Sequence, residues 1–314
     1  MKSLIRELLY PIPSVLRNRH TSINVAGVQR IRESIQTHFH QGWRAKDNYS
    51  ETFYQHDLNA HLHTRLDSDR RFVIPWLNSA RSLQGMRVLE VGCGTGSATV
   101  ALAEQGAHVT AIDIDAPALE VARERCRVHG VIADIQEANA EQLLKFGPMD
   151  AVLYFATLEH MNHAERMRSL VEAWSILPTG ALLAIIETPN RLWFFDEHTS
   201  RLPFYNWLPD DLAFMYSRFS SKEIFKDSYR EPNVEMMDHF LRRGRGVSYH
   251  EIDVAIAPTE SLDTVSSLTS YFGWRRRIRA SRLARRYKTF LRQIRPDLHE
   301  GWFDIDLNVI IRKH

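Results

Sequence analysis

The chain has 314 residues, 44% hydrophobic and 25% charged, with a mean hydropathy of −0.33 and a formal net charge of +2. This is an ordinary composition for a folded water-soluble chain, long enough for one large domain or two small ones, and no apolar run nears the roughly 20 residues that a bilayer span needs. Two cysteines, Cys93 and Cys126, exclude a disulfide framework, and the N-terminus lacks the apolar stretch of a secretory leader, so a reducing cytoplasm is the expected compartment.

Residues 1–80 read as a helical N-terminal cap. Leu4, Ile5, Leu8 and Leu9 recur at helical spacing until Pro11 and Pro13 end the piece. Helices are expected next over residues 28–40 and 50–77. The second starts at Ser50, a good N-cap, and carries Phe53, Tyr54, Leu58, Leu62, Leu66 and Phe72. It also holds His56, His61 and His63. His-x-His on a helix points its rings apart, so no metal site is expected there, and no metal is assigned elsewhere, metal dependence being left open.

From Gly85 the pattern becomes strand–helix alternation, the mark of a mostly parallel α/β sheet. Strands are expected at 87–91, 108–112, 131–135, 151–155 and 181–187. Helices are expected at about 97–105, 117–129 and 163–177. Two later stretches, 247–256 and 304–311, read as further strands and bring the total to seven. The first strand runs into Val88-Leu-Glu-Val-Gly-Cys-Gly-Thr-Gly96, and Ser97 opens a helix. A strand, a glycine-rich turn and a helix N-terminus bring free backbone N–H groups to whatever the turn holds. A dinucleotide-binding turn needs its third small residue one place later than Gly96, where Ser97 stands. Glu90, two residues before Gly92, would repel a pyrophosphate and suits a cation. Asp113 closes the second strand, where a carboxylate can accept both hydroxyls of a ribose.

This acidic Gly-x-Gly-x-Gly turn resembles motif I of the class I S-adenosylmethionine-dependent methyltransferases, and the chain is expected to share their Rossmann-like fold. The resemblance implies that Glu90, Gly92, Cys93, Gly94 and Gly96 surround the methionine end of S-adenosyl-L-methionine. It further implies that Asp113 holds the ribose, Ile114 flanks the adenine, and Asn139-Ala140, in place of the family's Asp-Ala, reads the adenine edge. Tyr154 joins the cofactor-binding set from the fourth strand. That strand ends Phe155-Ala-Thr-Leu-Glu-His-Met161, which resembles the Leu-Glu-His of ubiquinone-biosynthesis-type small-molecule O-methyltransferases. Neither an Asn/Asp-Pro-Pro-aromatic motif nor a Pro-Cys nucleophile is present, which argues against the common base-modifying subclasses. A hydroxyl acceptor must lose its proton, and His is suited by pKa, so His160, with Glu159 beside it, and His198 are the catalytic candidates.

Two long insertions remain. Residues 190–245 are rich in aromatics and leave the carboxyl end of the fifth strand, so they read as a lid or substrate wall, or as a helical layer with its own core. Residues 258–302 contain a basic helical segment. Arg275 to Arg295 holds ten basic residues and no acid, and taking these from a net +2 leaves −8 on the rest. A basic amphipathic helix is expected to pack by its apolar stripe, or to meet an anionic membrane surface as a peripheral anchor, with nucleic acid the least favoured partner. The expected activity is methyl transfer to a small or conjugated metabolite at a hydroxyl oxygen. The alternatives are a lipid-linked or glycan acceptor at a membrane surface, RNA methylation, and a cofactor-binding scaffold without catalysis. The oligomeric state is left open.

Overall fold

Strand–helix alternation begins at Arg87 as the sequence pattern requires. The structure is a computed structural model in which residues 19–222, 225, 233–273 and 282–314 are described. The expected helix around Leu4–Leu9 and the first part of the basic segment, 275–279, lie outside the described residues. Seven strands, mostly parallel, are combined with flanking helices in a Rossmann-like α/β fold. The chain forms two compact units. One is built from residues 19–139 with 149–151 and 271–273. The other takes in 140–148 and most of the chain from Val152 on.

In the first unit, β1 (Arg87–Val91), β2 (His108–Asp113) and β3 (Asp134–Glu137) lie in the order β3-β2-β1, all parallel, with Val91 opposite Ile112 and Ile112 opposite Gln136. β3 starts three residues later than expected. Gly130 and Val131 instead cap the preceding helix, their N–H groups donating to Arg127 and Cys126 carbonyls.

Helix α1 (Val25–Ser34) is capped by Asn24, and α2 (Glu51–Asn59) by Ser50, which accepts from Phe53 N. The chain stays helical from α2 to α3 (Ile74–Ala80), passing through π-helical turns at Ala60–Thr64 and Asp69–Val73. α4 (Ser97–Ala103) and α5 (Ala116–His129) follow β1 and β2. Ile31, Ile35, Phe39, Tyr54, Leu58 and Leu62 cluster with Ala118 and Val121 of α5. Each such large side chain contributes about 1.5–3 kcal/mol by leaving water. The cap helices therefore share a core with α5.

The second unit contains β4 (Ala151–Phe155, from Val152 on), β5 (Leu182–Pro189), β6 (Asp263–Ser267) and β7 (Asp306–Arg312) in the order β4-β5-β7-β6. β7 is antiparallel to both neighbours. Helix α6 (His163–Ile176) opens with a capping box in which Asn162 and Glu165 bond reciprocally. The aromatic insertion holds α7 (Asp210–Tyr216) and α8 (Val234–Leu241). Leu202, Tyr205, Ala213, Phe214, Phe225 and Phe240 form a core of its own.

The stretch expected as a strand at 247–256 is instead α9 (Tyr249–Ala255). Ser248 and Glu251 form a second capping box, and this local helix start outweighs the β-branched residues around it. The missing strand is β6, inside the stretch expected to be a basic insertion. The rest of that stretch carries α10 (Arg282–Ile294), in which no residue is buried. Among the described residues no helix is long and apolar enough to cross a membrane.

Candidate cofactor and active site

The turn after β1 is held by backbone bonds to β2 and by Asp113. Gly92 and Cys93 both donate N–H to Ile112 O, at 2.8 and 3.0 Å. Gly94 N donates to Asp113 Oδ2 at 2.8 Å, and Asp115 N donates to Asp113 Oδ1 at 2.9 Å. The Asp113 carboxylate thus braces the turn. Burial raises its pKa, and these backbone donors oppose the rise.

Gly94 and Gly96 have φ of +50° and +78°. A Cβ at Gly94 would meet nothing within 4 Å, so the turn's outer side is an open cradle. A Cβ at Gly96 would lie 2.8 Å from Ala122 Cβ on α5. Gly96→Ala therefore combines a left-handed residue with a clash. We expect it to cost about 2 kcal/mol or more, read as a lowered midpoint in urea. An unchanged midpoint would mean that α5 moves away freely.

Glu90 is fully buried and accepts from Thr99 Oγ1 at 2.6 Å. Burial pushes its pKa up to about 8, so it is mostly protonated at neutral pH. Cys93 is buried and burial raises its thiol pKa, which makes it a packing residue of the turn. Ile114 is 66% exposed just past β2, Asn139 is exposed after β3, and Ala140 is half-buried. Tyr154 departs from the sequence expectation. It is fully buried, and its hydroxyl bonds to Ser169 O at 3.1 Å and Ser169 Oγ at 2.7 Å. It is a core residue packed under α6, which removes it from the set that can reach a cofactor.

In the second unit Glu159, His160 and His198 come together. Glu159 is fully buried, and neither carboxylate oxygen has a hydrogen-bond partner among the described residues. His160 Nε2 and His198 Nε2 each lie 3.9 Å from Glu159 Oε1, and the two rings are 6.2 Å apart between centroids. Burial raises the Glu159 pKa, with His160 opposing. His160 Nδ1 is 2.9 Å from Arg242 O. A carbonyl only accepts, so Nδ1 carries the proton and Nε2 presents a lone pair in the neutral ring.

The loop bearing Glu159 is clamped by buried Arg166. Its guanidinium donates to Leu158 O, Met161 O and Arg245 O and pairs with Glu251 Oε1 at 3.1 Å. Ala156 and Glu187, at or beside the carboxyl ends of β4 and β5, take left-handed φ of 44° and 55°. Such backbone costs about 1–3 kcal/mol per residue and concentrates at functional sites. Asn308 Oδ1 accepts from Glu187 N and holds the bulge. Among the described residues no group of three or more His, Cys, Asp or Glu is arranged to hold a metal ion.

Sequence reading missed Thr99, Arg166 and Arg125. Arg125 and Arg166 had one available signal: each is a charge on the otherwise apolar face of a helix, beside Val121 and Ala122 or Ser169 and Leu170. Thr99 had none, because its partner is set by the fold of the turn.

Residues 88–180 match the family model described as "Methyltransferase domain". The chain is 38% identical over 122 residues to the ubiquinone biosynthesis O-methyltransferase of Xylella fastidiosa strain M23, covering 38% of this chain and 48% of that protein. It is 33% identical over 154 residues to that of Pseudomonas aeruginosa strain UCBPP-PA14, covering 48% and 59%. The chain spans about half the length of the curated relatives it matches. Among solved structures, magnesium protoporphyrin IX methyltransferase of Synechocystis PCC 6803 with bound S-adenosylmethionine aligns at 23% identity and a TM-score of 0.39, over 55% of this chain and 80% of that one. The region of the family match contains the glycine turn, Asp113 and Glu159, and it is over residues 88–180 that the chain resembles a methyltransferase domain.

Proposed function

We propose that the chain transfers a methyl group from S-adenosylmethionine to a hydroxyl oxygen of a small or conjugated metabolite. The observation that carries this reading is the open Gly94 cradle braced by Asp113, inside the stretch that matches methyltransferases. The O-methyltransferase relatives support oxygen as the acceptor atom. Gly92, Cys93, Gly94 and Gly96 cradle the methionine end with Glu90 beneath. Asp113 takes the ribose, and Ile114, Asn139 and Ala140 take the adenine. The residues fit the cofactor's charge, because neutral Glu90 becomes a counter-ion once a cation draws its proton away. Bound S-adenosylmethionine supplies a methyl already activated on a sulfonium, so the protein's task is alignment. His160 Nε2 takes the acceptor hydroxyl proton, Glu159 steadies the resulting imidazolium, and His198 shares that charge. The insertion over 190–245 forms the acceptor wall.

The test is calorimetric titration with S-adenosylhomocysteine and, in parallel, NADH, followed by transfer of radiolabelled methyl to fractionated extract. Micromolar binding of the first ligand, and label in an alkali-stable ether, supports the reading. Binding of NADH alone overturns it, and label only in amines moves the acceptor to nitrogen.

A second reading places the acceptor at an anionic membrane surface. It is favoured by α10, which bears exposed Leu283, Phe290 and Ile294 beside exposed Arg282, Arg285 and Arg286. A helix with this pattern suits the headgroup region of anionic lipid. Phosphatidylglycerol vesicles are expected to pull down the protein at least tenfold more than phosphatidylcholine ones at low salt, and R285E/R286E should abolish the difference. Equal binding to both vesicle types, or binding to RNA in their place, would sink it.

A further inference from the structure

The side chain of His160 is 46% exposed, so water can serve either ring nitrogen and does not itself select a tautomer. The selection falls to the bond between Nδ1 and the Arg242 carbonyl, 2.9 Å away. Arg242 caps the C-terminus of α8, and its own N–H donates to Asp238 O at 3.1 Å. A helix C-terminus leaves its last carbonyls without intrahelical donors, so this one can take a donor from a side chain. It orients the ring only if the end of α8 stays in place.

The Arg242 side chain supplies that constraint. Its Nη1 and Nη2 donate to the two oxygens of Glu165 at 3.0 and 2.6 Å, and its Nε donates to Asp238 Oδ2 at 2.8 Å. Glu165 is itself fixed in the capping box of α6, where its Oε2 accepts from Asn162 N at 3.0 Å. A closed circuit results. It runs from His160 along the chain to Asn162, through the cap to Glu165, across the guanidinium to the Arg242 carbonyl, and back to His160 Nδ1. The same turn frames the rest of the site. Arg245 N donates to Glu159 O at 3.0 Å. Gly244, at φ +119°, comes so close to the residue after His198 that a Cβ would lie 2.5 Å from Thr199 Oγ1.

Seating α8 does not require this fork, because Phe240 is buried in the insertion's core with Met236, Met237 and Leu241 packed against it. A single exposed ion pair adds little stability, whereas a two-pronged one fixes geometry. We propose that Arg242 is a positioning residue: its grip on Glu165 holds its carbonyl against His160 Nδ1 and so keeps Nε2 unprotonated for the acceptor hydroxyl. This rests on the reading that His160 is the base. The orienting group comes from the insertion, not from the strand that leads to the base.

The experiment is nitrogen-15 NMR of the imidazole rings in the labelled full chain at about pH 9, above the imidazole range, with His160→Gln identifying the signal. Wild-type His160 is expected to carry its proton on Nδ1. R242A should move the proton to Nε2 in about half of the molecules or more. E165Q keeps the cap, since Gln can accept from Asn162 N, but gives up the charged fork, and should move the proton the same way to a smaller extent. Methyl transfer to an extract fraction labelled by the wild type should fall about tenfold or more in R242A, with S-adenosylhomocysteine affinity changed less than about twofold. A role confined to seating α8 would lower the melting temperature and leave the tautomer alone. Retention of the Nδ1 proton in R242A overturns the inference, as does a wild-type ring protonated on Nε2, a measurement that needs no variant to fold. Full methyl transfer by His160→Ala would instead sink the reading that His160 is the base.

Discussion

Asp113→Ala is expected to weaken S-adenosylhomocysteine binding about 100-fold or more. The carboxylate does two things at once. Its oxygens accept from Gly94 N and Asp115 N, and in the proposed reading their remaining lone pairs accept the ribose hydroxyls. Each hydrogen bond to a charged group contributes about 1.5–3 kcal/mol, so losing two to the ribose already accounts for a factor of about 100. The turn also loses its brace, leaving the Gly94 N–H without its acceptor. Asp113→Asn keeps one carbonyl oxygen but aims an NH₂ at a backbone donor, so a loss of about tenfold or more is expected. Calorimetry on both variants decides the matter. Affinity unchanged in Asp113→Ala would show that neither the brace nor the ribose contact exists in solution.

Glu159→Gln should lower turnover at least tenfold while making the protein more stable. The carboxylate is buried with no hydrogen-bond partner for either oxygen among the described residues, and the charges that act to offset it are two imidazoles at 3.9 Å and the buried Arg166 guanidinium. Replacing it with a neutral amide removes that desolvation, about 1–3 kcal/mol, or roughly 2–4 °C in Tm for each kcal/mol. The pH dependence follows from the direction of the shift. Because burial raises the native pKa above the ordinary 4.5, the protonated carboxyl's contribution is complete below about pH 4.5 and is lost as pH rises through the native value. Wild-type stability should therefore decline over that interval, and the decline should be flatter in Glu159→Gln. His160→Ala should lower turnover about 100-fold, since proton removal by a positioned base contributes 10²–10⁴. A Glu159→Gln variant that is less stable at pH 8 and equally active would remove the residue from the site.

The parts of this molecule legible in its sequence are those fixed by local pattern. Val88 to Ala103 specify strand, turn and helix through apolar spacing and glycine, and Ser50 marks a helix start that the structure keeps. Residues 247–256 misled because Val247, Tyr249, Ile252, Val254 and Ile256 alternate with polar residues much as in a strand, and the Ser248–Glu251 box that settles it is a cap rather than a period. β6 escaped because Asp263-Thr-Val-Ser-Ser267 is short, polar and only half-buried. Tyr154 could be placed on a strand but not on a face. Arg125 and Arg166 showed in the sequence only as charges on helix faces, because most of their partners are main-chain carbonyls, and no residue-type pattern encodes a carbonyl.

The aromatic insertion closes on its own cluster, with Tyr205, Phe214 and Phe240 at its centre. A segment that buries its apolar side chains within itself can drift, lengthen or be exchanged between relatives without disturbing Leu153 or Ile185 of the strands. In evolutionary terms the insertion is a cassette. On the proposed reading, the residues that select an acceptor answer to a different core from the residues that hold the fold.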